Sequence, residues 1–526
     1  MDAATPSTTT SGRPPRPEPP RRRLLGGYAP LAVALVALAV VIAVVPSTAP
    51  PEVEAADVDA GTEGQPATGW GDTVEACPGG GPQVEGDPYS PPCFTFRGDN
   101  GGATAKGVSE DGITVTYRQT PEPNVLSVLA GLMGIEFNET PEDFRRTTEG
   151  LVDYFNANFE MYGRRMVFES FEGNGSLVTE LVGGGQEDAA NDGLQAGVEH
   201  AAFADITAVT QPYAEALARE ETIGFGAPYM SREWFTSRRP YAWSIATDCS
   251  VVAEAASAYS IDRLLDRPAI FAEGALKDRP RKIAVIAPNN PEYQRCAEAG
   301  LDILADAGKE IDFVTDYVLD LGRIPNQAKS ISAQIVSRDI TTISCFCDPF
   351  MVLSLAQEIE SQNLQPEWIA TGTGFVDLDL IGQGLANQTD QWDRAFGVSP
   401  LAEQLPQGES AGYRAYKSVR DDEPSLAVDV LYYQLYQLAL GIQMAGPELT
   451  PETFETGLFS FPAASGPAGT WDYFPESYTP ITDLREIWWD PDLVSPFNGD
   501  AGSYASNNER FSLDELPSGQ PEVFGR

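Results

Sequence analysis

The chain reads as an α/β protein of two doubly wound, parallel-sheet lobes, preceded by a single transmembrane helix. Three observations predict this. At 526 residues the chain is too long for one compact core. From Gly107 onward short apolar segments alternate with amphipathic ones, and this rhythm restarts near Arg281. An uncharged run, LLGGYAPLAVALVALAVVIAVV, stands ahead of both.

That run, Leu24 to Val45, has the length needed to cross a hydrocarbon core of about 30 Å. Arg13, Arg16, Arg21, Arg22 and Arg23 precede it and hold residues 1–23 in the cytoplasm as a basic stub. A cleaved signal peptide has a similar head. The stretch is long, however, and runs into Pro46, Pro50 and Pro51 without a small-x-small cleavage site, which favours an uncleaved signal-anchor over residues 24–46. Everything after it then lies outside the cell membrane. Residues 47–106 are rich in Pro, Gly and Ala without a sustained period, and read as an extracytoplasmic linker. Within it Cys77 and Cys93 flank a Gly/Pro loop that a disulfide can close. The connectivity of Cys249, Cys296, Cys345 and Cys347 stays open, and a metal at the Cys345-x-Cys347 pair lacks partners at ligand spacing.

In the exported body GITVTYR, from Gly112, alternates as a strand. Thr140-Pro141-Glu142-Asp143 reads as a helix start, with Phe144, Leu151, Val152, Phe155 and Phe159 on one face. Met166 to Phe171 is a second strand. QEDAANDGLQAGVEH, AAFADITAV, PYAEALARE and TIGFGAP continue as helix, strand, helix and strand. In the second run KIAVIA is apolar throughout, as in a strand buried on both faces. PNNPEYQRCAEAGLDILADAG, IDFVTDYV, IPNQAKSISAQIVSRD, ITTISCF, PFMVLSLAQEIESQN and EWIAT then alternate helix and strand. A long helix over about Ser425 to Met444 precedes short strand candidates at WDYF and REIWW. Lobe 1 is expected over 107–243 and 396–466, lobe 2 over 244–395 and 467–495, and a tail over 496–526.

Composition narrows the function. With 34 basic against 77 acidic residues and a formal charge of −43, neither a nucleic acid nor an anionic lipid is a suitable partner. His200, the one histidine, ends a helical segment and suits a dipole-complementing role. No Gly-x-Ser-x-Gly elbow with a late histidine is present, TGTGF lacks a third glycine in register, and no P-loop occurs. The reading is therefore not an enzyme, with no catalytic residues, no metal and no cofactor.

In open parallel sheets ligands gather at the carboxyl ends of strands. The loops there carry hydroxyls, amides and aromatics, a set suited to holding a small polar molecule between lobes: Glu172 and Asn174; Thr207 and Thr210; Tyr229 and Ser231; Asn289, Asn290 and Tyr293; Cys347 and Asp348; and Thr371 to Phe375. Each has a plainer role as well. Thr207 and Asp348 suit helix caps, and Tyr229, Tyr293, Phe346 and Phe375 suit core packing.

GVSEDGITVTY, FNANFEMYGRRMVFESFEGNGS, VTQPYAEALAREETIGFGAPYMS, YAWSIATDCSVVAEAA and KIAVIAPNNPEYQRCAEAG occur in order. Together they resemble the type I periplasmic binding proteins, specifically the leucine/isoleucine/valine-binding family of ABC-transporter receptors, over about Gly107 to Asp492. The resemblance implies a Venus flytrap, two lobes joined by three crossovers that close by hinge motion on a solute and present it to membrane permease and ATPase subunits. It implies ligand contacts from Thr207, Ser231 and Tyr293; Asn174 and Tyr229 join them as candidates from the strand-end loops. The family's run of serines is here Thr207-Ala208-Val209. Phe375 stands where the family carries an acid facing an α-ammonium, and Asp348 in the adjacent loop is the substitute. The expected solute is an amino acid, an amide or a small acid, bound by a monomer. A membrane-anchored sensor or adhesion module on the same fold is the alternative.

Overall fold

The structure is a computed structural model and describes residues 74–122, 127–128, 131 and 139–525. All of these belong to one compact unit, Asp59–Arg526. The basic stub, the expected signal-anchor and the first part of the expected linker, 47–73, lie outside the described residues. No helix of the described residues is long and apolar enough to cross a membrane.

The described chain begins with a correction. Residues 74–106 are not a free linker. Strands β1 (Val74–Ala76) and β2 (Phe94–Phe96) pair antiparallel, and Cys77 and Cys93 are disulfide-bonded beside them. Tyr89 is 1% exposed; its hydroxyl donates to the Gly469 carbonyl at 2.6 Å and accepts the Ala468 N–H at 2.9 Å. Proline and glycine had argued against regular structure. The loop is held instead by its disulfide and by one aromatic anchor set against Trp471.

The first sheet comprises β3 (Gly112–Gln119), β4 (Arg165–Glu172), β5 (Ala204–Asp205), β6 (Ile223–Phe225) and β7 (Ala242–Trp243), all parallel, in the order β4-β3-β5-β6-β7. The helix Pro141–Asn158 starts as expected. Thr140 and Asp143 form a capping box, and Phe144, Leu151, Val152 and Phe155 are buried. The helix Val428–Ala445, which matches the long helix read near 425–444, packs on the same lobe, and its Leu435, Tyr436 and Leu438 are fully buried.

The second sheet holds β8 (Ile283–Pro288), β9 (Phe313–Tyr317), β10 (Thr342–Cys345), β11 (Glu367–Ala370) and β12 (Ala395–Ser399) as parallel strands. β8, the KIAVIA segment, is buried at every position. After the short hairpin strands β13 (Ala464–Gly466) and β14 (Gly469–Trp471), the chain adds β15 (Asp483–Val494) and β16 (Ala501–Ser512) antiparallel at one edge of the second sheet, giving the order β16-β15-β12-β11-β10-β8-β9. Three corrections follow. The second sheet is mixed rather than wholly parallel. β12 belongs to lobe 2, so lobe 1 resumes only with the helix Ala411–Lys417 and runs through β14. Residues 496–526 are not a tail, because β16 supplies the edge strand that covers β15.

Between the sheets the chain crosses after Trp243, after Ser399 and after Trp471. These three passages join the two lobes.

Candidate functional site

The carboxyl ends of β3, β5 and β6, the crossover Ser244–Ala246 and the loop after β11 surround a cavity of about 380 Å³ between the lobes. That volume lies within the range of small-molecule pockets, about 300–1,000 Å³. Its walls are mainly apolar and include Ile206, Val209, Ile245, Phe375, Leu378 and Leu431. Leu405 and Val430, 40% and 43% exposed, stand among the lining residues as open apolar side chains at its mouth. Glu403, Glu409 and Arg414 line it from exposed positions. Asp429 is half-buried and accepts the Gly412 N–H at 2.8 Å.

One cation lies deep in the wall, and it is already neutralised. Arg118, at the carboxyl end of β3, makes a two-point pair with Glu180, both contacts at 2.9 Å, and a third contact to Asp192 at 3.2 Å. Its guanidinium stacks over Tyr213 at 3.8 Å. Asp192 in turn accepts the Asn174 N–H at 2.7 Å and the Asn174 side-chain amide at 2.9 Å. Asn174 therefore buttresses the Arg118 cluster.

Thr207 lines the cavity, but its hydroxyl is committed. Oγ1 donates to Asp205 at 2.6 Å and accepts the Arg118 N–H at 3.1 Å. Asp205 also accepts from Thr116 at 2.8 Å and Tyr213 at 3.0 Å, while complete burial raises its carboxyl above the usual range.

Beside the cavity the lobes meet in an aromatic seam. Tyr229 from lobe 1 meets Phe375 from lobe 2 edge to face at 5.2 Å, and both residues are in the left-handed backbone region, with φ of 56° and 60°. Tyr229 packs with the Cys249–Cys296 disulfide and Ala253, and Tyr293, Phe346 and Phe375 close over them. Burial pushes the Tyr293 hydroxyl up to about 12. Ser231 caps the helix Arg232–Thr236 by accepting the Trp234 N–H at 3.0 Å. The same hydroxyl donates to Glu292 of the opposite lobe at 2.6 Å.

Asp348 is committed to its own helix. It caps the helix Pro349–Ser361, accepting the Phe350 and Met351 N–H groups at 2.9 and 3.1 Å, and it also accepts the Tyr317 hydroxyl. Cys345 and Cys347 are disulfide-bonded to each other. His200 reaches Glu169 at 2.7 Å on the far side of β4 and stacks on Phe171.

Of the residues expected to touch a ligand, Thr207 and Phe375 line the cavity. Tyr229, Ser231 and Tyr293 form the adjoining seam, while Asn174 and Asp348 support loops. Reading by loops missed the helix Val428–Ala445, which brings Leu431, Tyr433 and Gln434 to the cavity. Buried glutamines, Gln434 among them, interrupt an otherwise apolar run there, and that pattern was the available signal.

No family model matches the chain, and no curated protein does. Solved structures do. An ABC-transporter substrate-binding protein from Aeropyrum pernix is similar at a TM-score of 0.52 and 15% identity, over 77% of this chain and 96% of that one. A leucine-, isoleucine-, valine-, threonine- and alanine-binding protein from Brucella ovis, in its closed conformation, gives 0.54 at 13% identity over 78% and 100%. A solute-binding protein of an ABC transporter from Rhodopseudomonas palustris, in complex with p-hydroxybenzoic acid, gives 0.52 at 13% identity over 79% and 100%. The fold of the chain is that of the type I periplasmic binding proteins.

Proposed function

We propose that this chain, with its type I periplasmic binding protein fold, is the extracytoplasmic solute receptor of an ABC-type importer. The observation that carries the reading is the cavity between the two lobes, bounded by three chain crossings and by the carboxyl ends of the first sheet's strands. A solute enters when the lobes part and is enclosed when they close about those crossings. Thr207 and Phe375 face it, and Tyr229, Ser231 and Tyr293 form the surface on which the lobes meet. The partners are a membrane permease and its ATPase, the receptor is a monomer, and the apolar segment Leu24 to Val45 tethers it to the membrane.

The test is thermal melting of the full-length protein against a broad panel of amino acids, amides, carboxylic acids, polyols and nucleosides. A ligand bound only by the folded state raises the midpoint by mass action. One chemical class is expected to do so, and Val209→Phe, which narrows the cavity, is expected to reduce the shift. A protein that melts cooperatively and responds to nothing in the panel overturns the reading.

A further inference from the structure

Three polar side chains interrupt the apolar helix Val428–Ala445 on its buried faces. Gln443 donates to Gln83 at 2.9 Å, and Gln437 reaches the Ser244 carbonyl at 3.5 Å. Gln434 is different. It is 4% exposed and lines the cavity, where no hydrogen bond ties its amide to another described residue; the Gln404 Oε1, at the same cavity, is buried without a partner as well. Room for it exists because residue 226 is a glycine at φ 120°: a Cβ there would lie 2.7 Å from the Gln434 Nε2. A buried amide is normally paired, since leaving it unpaired forfeits the hydrogen bonds that water would supply.

Around that amide, charge is scarce. Arg118 is spent on Glu180 and Asp192, and the Thr207 proton is spent on Asp205. Glu403, Glu409 and Arg414 stand exposed, and Asp429 is half-buried. Asp348, the expected partner of an α-ammonium, caps its own helix. A zwitterion drawn in beside Gln434 would lose its hydration, and the charges that line the cavity stand at exposed or half-buried positions, where water screens them.

We infer that the cavity selects a neutral, largely apolar solute whose one amide-like donor–acceptor group pairs with the side chain of Gln434. The inference rests on the solute-receptor reading and names the class of ligand. An amide, donor and acceptor at once, forms both hydrogen bonds the glutamine offers, while the apolar body covers Val209, Ile245, Leu431 and their neighbours.

The experiment measures binding by calorimetry to the full-length protein, using four headgroups on matched aliphatic, cyclic and aromatic bodies: primary amide, carboxylate, α-amino acid and the bare hydrocarbon. Phenylacetamide, phenylacetate, phenylalanine and ethylbenzene form one such set. The amides are expected to bind most tightly. In Gln434→Leu their affinity is expected to fall about tenfold, the worth of a desolvated hydrogen-bonded pair, while the hydrocarbon binds as before and so shows the cavity intact. Tighter binding of a carboxylate or an amino acid overturns the inference and leaves the receptor reading standing. Equal amide affinity in wild type and Gln434→Leu also overturns it. If no member of any class binds, the inference falls, and the receptor reading is decided by the melting panel, which also holds polyols and nucleosides.

Discussion

Ser231 donates its hydroxyl proton to Glu292 at 2.6 Å across the boundary between the lobes, while the same oxygen accepts the Trp234 N–H of its own helix. One side chain thus caps a helix and ties two sheets together beside the Tyr229–Phe375 contact. Ser231→Ala removes both bonds. Loss of the cap costs about 1 kcal/mol, and loss of the tie shifts the lobes toward an open arrangement. The stability cost is read in urea, and the opening as a larger radius of gyration by small-angle scattering. An unchanged radius would show that the bond does not hold the lobes together.

Asp377 follows the TGTGF loop and is 2% exposed, with one carboxylate oxygen accepting from Ser399 and the other without a partner among the described residues. Burial raises its pKa to about 6. The folded protein therefore keeps this proton to higher pH than the unfolded chain, whose aspartates titrate near 3.9. Its contribution to stability falls as pH rises from about 4 to about 6, and the penalty is complete above that range. Asp377→Asn is expected to be more stable than wild type by up to about 3 kcal/mol near neutral pH and to lose that advantage below about pH 4. Denaturation midpoints at the two pH values check this, and a variant less stable at both would contradict it.

Arg118 and Glu180 are both sealed from solvent, with side chains 1% and 0% exposed. Arg118→Met leaves Glu180 and Asp192 as buried, uncompensated carboxylates and is expected to cost about 3–5 kcal/mol. The loop at Asn174, which hangs on Asp192, should loosen with it. Faster amide exchange at Asn174 and Gly175 in the variant would report that coupling.

The Cys249–Cys296 disulfide joins the helices Cys249–Tyr259 and Pro291–Asp306 and closes a span of 47 residues. Replacing both cysteines with alanine is expected to destabilise the protein by about 4 kcal/mol. Wild type under strong reductant, which opens Cys77–Cys93 and Cys345–Cys347 as well, should melt at or below the double variant, and a double variant melting with untreated wild type would show the bridge to be energetically idle.

Much of the framework was legible in the sequence because it follows from local periodicity. Alternation marked β3, unbroken apolarity marked β8, and Thr140-Pro141-Glu142-Asp143 marked a helix start, each a matter of a few neighbouring residues. The order of those elements carried the fold class, and the Gly/Pro loop between Cys77 and Cys93 pointed to their disulfide. What composition obscured was long-range. Residues 74–106 fold against lobe 1 because Tyr89 finds Gly469, 380 positions away. β12 falls to lobe 2 and β16 becomes an edge strand because of their partners β11 and β15, not because of anything in their own residues.

The candidate site divides in the same way. The sequence by itself determined that hydroxyls, amides and aromatics crowd the carboxyl ends of parallel strands, since strand and loop boundaries are local. Only the tertiary structure decided which of them are free to act. A hydroxyl at Thr207 is a ligand donor or a structural one according to whether Asp205 takes its proton, and Asp348 is a partner or a cap according to the helix behind it. Gln434 became conspicuous only in the folded chain, where it reaches the cavity without a hydrogen bond to another described residue, while the Gln437 and Gln443 amides on the same helix each donate one.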